Sequence, residues 1–573
     1  MLLTDTRPPA TAATVVEQLE RLARNVPFGS AYRSAEDGTS LTYRQLHEQA
    51  SAVAGGLSAL VGRGDRVAVA LPTSPAGTAV LFGVWMRAAT AVVLPVPTGA
   101  GASAWNDTAL RVVLDSGARV VVVPDGHAVA ELTAFLAAGG AEVDVVCTDL
   151  LAGAPVAVEL PDPEDLAVLQ YTSGSTSAPR GVMISHRNIR ANVDSIATEM
   201  RHRAGPGSGP SALVGWLPLS HDMGLVGVVS CLWSQSPGIL MNPSTFVMNP
   251  LRWLRAISEH RATGTAAPNF AYQLCVDRAR RQSIDDLDLS SLTFAVTGAE
   301  MPRRSTIDEF CATFGPRGFD RRAFVPSYGL AEATLLVSGR HGDDGAAVRV
   351  FARDSLVVGH RAREARPGEN GVEVVSSGAP VSGVTVTIRD DRGASGADGV
   401  VGEIVVSGPG VSRGYWGAAD PAADGFSESG GLHSFVTSDY GTVIGGEVYV
   451  LGRRDDVIVL DGRNLFPEDV ERVVAAPIPG VRMARVAALP DPGGAGVVIV
   501  AECVRDAQAR PSTEVGRDEV VAVVRNRVSG EFGVRTTAVA LVRLGQLPLT
   551  RSGKVRRKEC ARLWAHDELK GWA

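Results

Sequence analysis

The chain has 573 residues, of which 55 are Lys or Arg and 62 are Asp or Glu, giving a formal net charge of −7 at pH 7. This length exceeds what one hydrophobic core supports, so two or more domains are expected. A hydrophobic content of 45% and a charged content of 20% are ordinary for a globular protein, and the acidic balance argues against nucleic acid as the main partner.

The cysteines and the apolar segments indicate where such a chain resides. Its six cysteines are scattered without a CxxC pair, which predicts a reduced, cytoplasmic protein without a bound metal cluster. The opening MLLTDTRPPATAATV lacks a basic segment followed by an apolar core, so no signal peptide is expected. The longest apolar region, Thr78 to Val96, is alanine-rich and contains Arg87, which argues against a membrane span.

The N-terminal part alternates helical and strand patterns. Thr42 and Gln45 form a capping box ahead of apolar residues at helical spacing. Short apolar runs at 67–71, 91–96 and 120–123 predict buried strands. This alternation predicts an α/β fold whose large body is layered from several, largely parallel sheets.

A loop rich in hydroxyl groups follows the next predicted strand, within LAVLQYTSGSTSAPRGVMISHRNI at 166–189. A second strand at 181–184 and a helix after Ser185 come next. Backbone N–H groups, short hydroxyl donors and the positive charge of Arg180 suit an anion such as a phosphate chain. The loop residues are Thr172, Ser173, Gly174, Ser175 and Thr176.

Two familiar phosphate loops are excluded by spacing. A Walker loop needs Gly and Lys where this chain has Pro179 and Arg180. A dinucleotide fingerprint that starts at Gly174 needs glycines where Thr176 and Pro179 stand. Taken alone, the loop is equally compatible with a flexible surface segment.

Three further predicted strands end in polar loops that contain glycine. They are 213–217 followed by PLSHDMG, 294–296 followed by TGAE, and 324–325 with SYGLAE shortly after it. Ligands of α/β sheets collect beyond the carboxyl ends of the strands. These three loops and the phosphate loop are therefore expected to line one cleft.

The C-terminal part begins with a predicted hairpin at 440–451 that turns at Gly445 and Gly446. The residues after it predict a small α/β domain. We interpret Glu468 and Glu471 as a solvated helix face. Near the end, LPLTRSGKVRR at 547–557 presents Lys554 on a glycine-containing loop.

These motifs, in this order and over nearly the full length, resemble the adenylate-forming enzymes, the superfamily of acyl-CoA synthetases, luciferases and peptide-synthetase adenylation domains. The resemblance implies a large N-terminal domain at 1–452 and a small mobile C-terminal domain at 453–573, with a hinge at Asp455. Two positions depart from the family pattern, since Ser177 stands where Gly is usual and Arg180 where Lys is frequent.

The resemblance also implies a role for each motif in binding ATP and Mg²⁺. Residues 172–176 and Arg180 would hold the β- and γ-phosphates, Tyr328 would stack on adenine, and Glu332 would coordinate Mg²⁺. Asp439, helped by Arg453, would bind the ribose hydroxyls, and Lys554 would bridge the substrate carboxylate and the nucleotide. The other nucleotide-site residues are Gly298, Ala299, Glu300, Ser327, Gly329, Leu330 and Ala331. The acid-site residues are His221, Asp222, Met223, Gly224 and Phe270, and the catalytic set is Lys554, Thr172, Glu332 and His221.

The implied reaction explains why such a set is needed. A carboxylate that attacks the α-phosphate brings two anions together, so catalysis is mainly positioning and charge neutralisation, without a general base. Taken singly, Tyr328 is typical of a packing residue, Asp439 of a turn and Lys554 of a solvated charge. The ordered set is what indicates the function.

Four stretches resemble the fatty acyl-AMP ligase branch of this superfamily, namely 216–227, 249–263, 267–276 and 326–339. Between Glu332 and SSGAP at 376–380 lie 43 residues, and 351–375 would be the branch's insertion, which implies a restrained small domain and disfavours CoA. A surface elaboration without a role is the alternative. Asp455 stands where many members carry Lys, and Ser376-Ser377 where Cys is common.

The sequence thus predicts a fatty acyl-AMP ligase. Such an enzyme uses ATP and Mg²⁺ to convert a fatty acid to acyl-AMP, then loads the acyl group onto the phosphopantetheine thiol of a holo acyl carrier protein, in lipid or polyketide-like secondary metabolism. An acyl-CoA synthetase and an inactive homologue that serves as a binding module are the alternatives. The presence of Lys554, Glu332 and Asp439 argues against the inactive homologue.

Overall fold

A computed structural model describes most of the chain, and every structural statement below concerns these residues. They are 12–96, 102–124, 126–151, 153–172, 179–204, 212–340, 342, 345–390, 393, 396–460, 463–505, 516–549 and 555–572. The chain divides into two compact units. The first unit is Met1–Ala347, Ser377–Val386 and Val406–Val436, and the second is Val348–Ser376, Thr387–Val405 and Thr437–Ala573.

The helices of the described residues are α1 Val15–Asn25, α2 Tyr43–Leu57, α3 Pro75–Trp85, α4 Ala102–Ser116, α5 His127–Ala138, α6 His186–Ala204, α7 Asp222–Ser234, α8 Pro243–Met248, α9 Leu251–Glu259, α10 Asn269–Ala279, α11 Arg304–Phe314, α12 Pro467–Val474, α13 Arg517–Phe532 and α14 Arg557–Ala565.

The strands up to residue 340 are β1 Ser30–Ser34, β2 Ser40–Thr42, β3 Arg66–Val69, β4 Thr90–Val93, β5 Val120–Val123, β6 Asp144–Cys147, β7 Leu166–Thr172, β8 Arg180–Ser185, β9 Leu213–Gly215, β10 Gly238–Leu240, β11 Gly264–Pro268, β12 Phe294–Gly298, β13 Phe324–Pro326, β14 Tyr328–Gly329 and β15 Leu336–Arg340. The later strands are β16 Val348–Ala352, β17 Gly371–Val375, β18 Ala379–Pro380, β19 Thr385–Arg389, β20 Gly402–Ser407, β21 Phe426–Ser429, β22 Leu432–Ile444, β23 Glu447–Arg453, β24 Ile458–Leu460, β25 Arg463–Leu465, β26 Val481–Pro490, β27 Val497–Arg505 and β28 Thr536–Val542.

The first unit contains a seven-stranded sheet in the order β13-β12-β11-β9-β10-β1-β2. All neighbours from β13 to β1 are parallel, and β2 closes one edge antiparallel to β1. Aromatic rings pack beside this sheet, where Tyr272 contacts Phe310 and Phe324 at ring-centroid distances of 5.2 and 4.9 Å. Because helices follow parallel strands, both faces of such a sheet are covered.

A six-stranded sheet in the first unit has the order β6-β5-β3-β4-β7-β8. It is parallel from β6 to β7, and only β8 runs antiparallel to its neighbour. Its central strands β4 and β5 are continuous runs of buried residues, TAVV and VVVV, as strands covered on both faces require. The predicted layered α/β body with largely parallel sheets is confirmed.

Helices α2 and α3 start and pack against each other as their sequences dictate. Thr42 and Gln45 form the predicted capping box of α2, and Ser74 caps α3, whose first residue is Pro75. A Cβ at Gly83 would overlap the side chain of Val53, so this glycine lets α3 approach α2 closely. Among the described helices, none has both the length and the apolarity to cross a membrane.

The second unit contains a three-stranded sheet in which β27 pairs antiparallel with β26 and parallel with β28. Alternate residues of β27 serve two cores. Val497, Ile499 and Ala501 pack with α12 and α13, whereas Val498 and Val500 pack with Cys560 of α14. This alternation follows from the two-residue repeat of a strand.

The hairpin of β22 and β23 has the predicted turn. Gly445 and Gly446 have φ angles of 60° and 84°, both in the left-handed region that a tight two-residue turn of this type needs. A second hairpin, formed by β16 and β17, contains the residues 351–375 that were predicted as an insertion. Phe351 of this hairpin is fully buried and packs edge-on against Tyr449 of β23 at 5.7 Å.

The interpretation of Glu468 and Glu471 as a solvated helix face is wrong. Glu471 is 7% exposed, and its Oε1 accepts hydrogen bonds from Arg557 Nε at 2.8 Å and from the Ala488 N–H at 3.1 Å. Glu468 lies 2.9 Å from Arg557 Nη1. The partner arginine comes from α14, so the pattern of the short helix α12 contained no sign of it.

Candidate active site

Three of the four predicted strand-end loops lie at one edge of one sheet. Strands β9, β12 and β13 run parallel in the seven-stranded sheet, so the loops after them leave from the same end. The phosphate loop follows β7, which belongs to the six-stranded sheet, so the four loops do not leave from one sheet edge, and their meeting in one cleft stays a prediction. Gln170 of β7 joins the two regions, since its Nε2 donates to the Ser220 carbonyl at 2.7 Å.

The loop after β9 fixes His221 at the start of α7. His221 Nδ1 lies 2.6 Å from Asp222 Oδ1, and this oxygen accepts the Met223 N–H at 2.7 Å. These contacts orient the imidazole through Nδ1. A Cβ at Gly224 would overlap the carbonyl oxygen of Pro218, so only glycine lets the first turn of α7 pack against this loop.

The predicted acid-site and nucleotide-site residues adjoin in the first unit. The N–H of Phe270 donates to Glu300 Oε1 at 2.6 Å. A Cβ at Gly298 would lie 3.8 Å from Met223 Cε, so the end of β12 and the start of α7 are neighbours. Ala299, between Gly298 and Glu300, has a φ of 63°, a strained backbone for a residue with a side chain.

An aromatic cluster, called here the aromatic wall, packs around Phe270, one of the predicted acid-site residues. Trp216 stacks on Phe246 with ring centroids 3.8 Å apart and packs edge-on against Phe270 at 6.4 Å. Trp253 closes the cluster at 6.4 Å from Trp216. Phe270 was predicted from its stretch, whereas Trp216 and Phe246 were not singled out, because a buried aromatic residue is typical of any core. Such a wall suits an apolar chain.

Residues 327–332 lie where β13 ends. Ser327 Oγ donates to the Val325 carbonyl at 2.9 Å, and the largely buried Tyr328 begins β14. A Cβ at Gly329 would overlap the carbonyl oxygen of Leu335, which explains the glycine. Leu330 and Ala331 then lead into a short 3₁₀ turn, Ala331–Ala333, that presents Glu332.

Glu332 belongs to a cluster of charged and aromatic groups. The hydroxyl of Tyr415 donates to Glu332 Oε1 at 2.6 Å. The guanidinium carbon of Arg180 lies 3.6 Å from the centroid of the Tyr415 ring, and Arg180 forms an ion pair with Asp424. Burial, followed by the negative charge of Glu332, raises the pKa of Tyr415, so its hydroxyl stays a donor.

The sequence reasoning missed Tyr415 and Asp424. Tyr415 lies in RGYWG at 413–417, which by itself resembles an ordinary turn sequence. Backbone pairing fixes the position of Tyr415, because Val182 of β8 pairs with Tyr415 and the Trp416 N–H donates to the Gly181 carbonyl at 2.7 Å. The partner of Glu332 is thus held on the strand that follows the phosphate loop.

Part of the predicted site lies outside the described residues, namely Ser173, Gly174, Ser175, Thr176 and Lys554. The two ends of the phosphate loop are described. Thr172 closes β7 and stands opposite Arg180, the first residue of β8. The loop therefore connects adjacent ends of an antiparallel pair of strands.

In the second unit, the predicted ribose-site residues are cross-strand partners. Asp439 of β22 stands opposite Arg453 of β23, and Arg453 Nε lies 3.3 Å from Asp439 Oδ1. Asp455 follows in a 3₁₀ turn, Arg454–Asp456. The next residue, Asp456, pairs with Arg557 at 2.7 Å.

Comparisons with known proteins identify the family to which this chain belongs. A model of the family described as AMP-binding enzyme matches residues 19–416. The medium-chain-fatty-acid–[acyl-carrier-protein] ligase JamA of Moorena producens (strain JHB) is 33% identical over 98% of this chain and 96% of its own. The long-chain-fatty-acid–AMP ligase FadD26 of Mycobacterium tuberculosis (strain H37Rv) is 30% identical over 98% of this chain and 99% of its own.

The solved structures agree with these relatives. A structure from a study of fatty acyl-adenylate ligases from E. coli and L. pneumophila superposes with a TM-score of 0.86 at 30% identity. The superposition covers 97% of this chain and 98% of the other. The resemblance inferred from the motifs is confirmed.

Proposed function

Since this chain belongs to the family of AMP-binding enzymes, we propose that it is a fatty acyl-AMP ligase that loads an acyl carrier protein. The observation that carries the proposal is the contact between the two halves of the predicted site, where the Phe270 N–H donates to Glu300 and Gly298 adjoins Met223. An acid bound beside the aromatic wall would meet the nucleotide strip there. The relatives described above act on fatty acids, which supports an acid with an apolar chain.

The nucleotide would be held by residues of several motifs. Residues 172–176 and Arg180 take the phosphates, Tyr328 stacks on adenine, and Gly298, Ala299 and Glu300 border the base. Asp439 accepts from the ribose hydroxyls, with Arg453 beside it at 3.3 Å. Lys554 bridges the acid and the α-phosphate, which neutralises the approach of two anions.

Glu332 fits the role of a Mg²⁺ ligand. Its carboxylate supplies the hard oxygen that Mg²⁺ prefers, and Arg180 on the other side of Tyr415 matches the charge of a polyphosphate. When bound, Mg²⁺ neutralises phosphate charge. The Tyr415 hydroxyl keeps the carboxylate oriented, and Arg180 approaches the phosphates directly.

The reaction has two steps. A carboxylate oxygen of the acid attacks the α-phosphorus of ATP, and the bond to the bridging oxygen breaks, so pyrophosphate leaves with the electron pair and acyl-AMP forms. The phosphopantetheine thiol then attacks the acyl carbonyl, AMP leaves with the electron pair of the C–O bond, and the thiol proton passes to the solvent. His221, oriented by Asp222, borders the acid.

The insertion at 351–375 supports a carrier protein as the acceptor. Arg353 forms an ion pair with Asp469 of α12, lies 3.2 Å from Glu531 of α13 and stacks over the Phe532 ring at 4.3 Å. Asn370 Nδ2 donates to the Glu531 carbonyl at 2.5 Å. The insertion thereby restrains two helices of the small domain, whose hinge we place at Asp455. We also infer a cytoplasmic enzyme, since holo carrier proteins are found there.

To test this function, the protein is incubated with Mg²⁺-ATP and a panel of carboxylic acids, first with CoA and then with a holo acyl carrier protein. The products are followed by mass spectrometry. We expect acyl-AMP to accumulate with CoA and the acyl group to pass to the carrier protein. Rapid formation of acyl-CoA would make the enzyme an acyl-CoA synthetase instead.

Lys554→Ala should lower the rate of adenylation by about a hundredfold or more, as expected when a charge-stabilising group is removed. The exposed Lys570→Ala is the matched control.

A further inference from the structure

Tyr415 contacts the carboxylate of Glu332 and the guanidinium of Arg180, which have different roles in the proposed site. Its hydroxyl donates to Glu332 Oε1 at 2.6 Å, and the face of its ring lies 3.6 Å from the guanidinium carbon of Arg180. The side chain is 8% exposed. One largely buried phenol therefore contacts both Glu332 and Arg180.

Backbone hydrogen bonds and strand pairing hold the main chains of this cluster. Tyr415 pairs with Val182 of β8, next to the start of the strand at Arg180. The Glu332 carbonyl accepts the Ser412 N–H at 2.8 Å. Because these main chains are paired, the remaining freedom lies in the side chains, and the Tyr415 hydroxyl and ring restrict it.

We propose that Tyr415 is a positioning residue for the phosphate end of the nucleotide, holding Glu332 and Arg180 at the spacing that a metal-chelated polyphosphate needs. This inference rests on the proposed function. The hydroxyl acts on the metal-binding carboxylate, whereas the ring acts on the cation that meets phosphate oxygens directly. Groups that hydrogen-bond to a metal-binding carboxylate orient it and strengthen metal binding.

The inference also predicts how the charge of Asp424 affects phosphate binding by Arg180. It forms an ion pair with Arg180 and is an anion where a phosphate oxygen would otherwise bind. If stacking on Tyr415 keeps Arg180 in place, removing the negative charge of Asp424 leaves the guanidinium available to a polyphosphate. Asp424→Asn should then bind phosphate more tightly, not less.

The first experiment measures Mn²⁺ binding in the presence of ATP by electron paramagnetic resonance, without any substrate acid. Tyr415→Phe keeps the ring and removes the hydroxyl, so we expect about tenfold weaker Mn²⁺ binding. ATP binding without metal should change less than about twofold. Tyr449→Phe is the matched control, since Tyr449 is also buried, donates to Glu447 at 3.0 Å and has Arg349 over its ring at 5.7 Å.

The second experiment measures binding of inorganic tripolyphosphate by calorimetry. Asp424→Asn should bind it severalfold more tightly, and Tyr415→Leu, which removes the stack, should bind it severalfold more weakly. Mn²⁺ binding by Tyr415→Phe that matches Tyr449→Phe, or weaker tripolyphosphate binding by Asp424→Asn, overturns the inference. Wild-type protein that neither binds Mn²⁺-ATP nor forms acyl-AMP would overturn the proposed function itself.

Discussion

At the first position of α6, the imidazole of His186 is buried, with 1% of its surface exposed. Its ring packs edge-on against Trp85 at 6.2 Å, and Nδ1 has no hydrogen-bond partner among the described residues. Burial disfavours the charged form and lowers the pKa of His186 from 6.5 to about 3. The folded protein therefore holds this histidine neutral.

Because His186 is buried in its neutral form, we expect the folded protein to lose stability in mild acid. Above pH 6.5 neither state binds the proton, and the stability is fully present. As the pH falls from 6.5 towards 3, the unfolded chain takes up a proton that the folded chain cannot, which lowers the free energy of unfolding by about 1.4 kcal/mol per pH unit. Urea unfolding of His186→Asn between pH 7.5 and 5 should show a shallower pH slope than wild type. The exposed His566→Asn is the control, and equal slopes for His186→Asn and wild type would contradict the prediction.

At the scale of elements, one arginine makes several of the contacts between the insertion and the small domain. Arg353 follows β16 and reaches α12 through Asp469 and α13 through Glu531 and Phe532. Asp469 is itself buried, so its charge is screened less by water than that of a surface pair. Arg472 shares this carboxylate at 2.9 Å.

Arg353→Ala should loosen the insertion from both helices. Removing a charged hydrogen-bond partner of this kind costs about 1–3 kcal/mol, so we expect the transfer of the acyl group to free CoA to rise about fivefold or more. Acyl-CoA formed from preformed acyl-AMP is the measurement. The control Arg366→Ala removes an exposed arginine of the same insertion. An unchanged rate with Arg353→Ala would indicate that the insertion is a surface elaboration.

At the scale of the whole molecule, the residues that we assign to one nucleotide are spread along the chain, from Arg180 through Tyr328 and Glu332 to Asp439 and Arg453. A ligand that binds only the folded protein stabilises it according to its concentration and affinity. The stability of the molecule should therefore respond to an acyl-adenylate.

A non-hydrolysable acyl-sulfamoyl adenosine at one hundred times its Kd should stabilise the protein by about 2.7 kcal/mol, measured by urea unfolding. Asp439→Asn should lose most of this gain at the same ligand concentration, because it removes the acceptor for the ribose hydroxyls. The control variant Asp518→Asn, which changes an exposed aspartate, should keep the full gain in stability. A gain in Asp439→Asn equal to that of wild type would contradict the assignment of the ribose site.

Much of the architecture was predictable because it depends on local pattern. The valine runs of β4 and β5, the capping box of α2 and the Gly445-Gly446 turn each follow from a few neighbouring residues. The motif residues were also accessible, because the resemblance supplied their order. Glu471 shows the limit of local pattern, since its partner Arg557 lies far along the chain.

The sequence by itself determined the fold class, the family and the motif residues that lie in short contiguous stretches, because their chemistry and spacing are local. Only the tertiary structure decided that Tyr415 joins Glu332 to Arg180 and that Arg353 reaches α12 and α13. It also placed β7, the strand that precedes the phosphate loop, in a different sheet from β9, β12 and β13. These contacts join residues distant in the chain, and their distances depend on how whole sheets and helices pack.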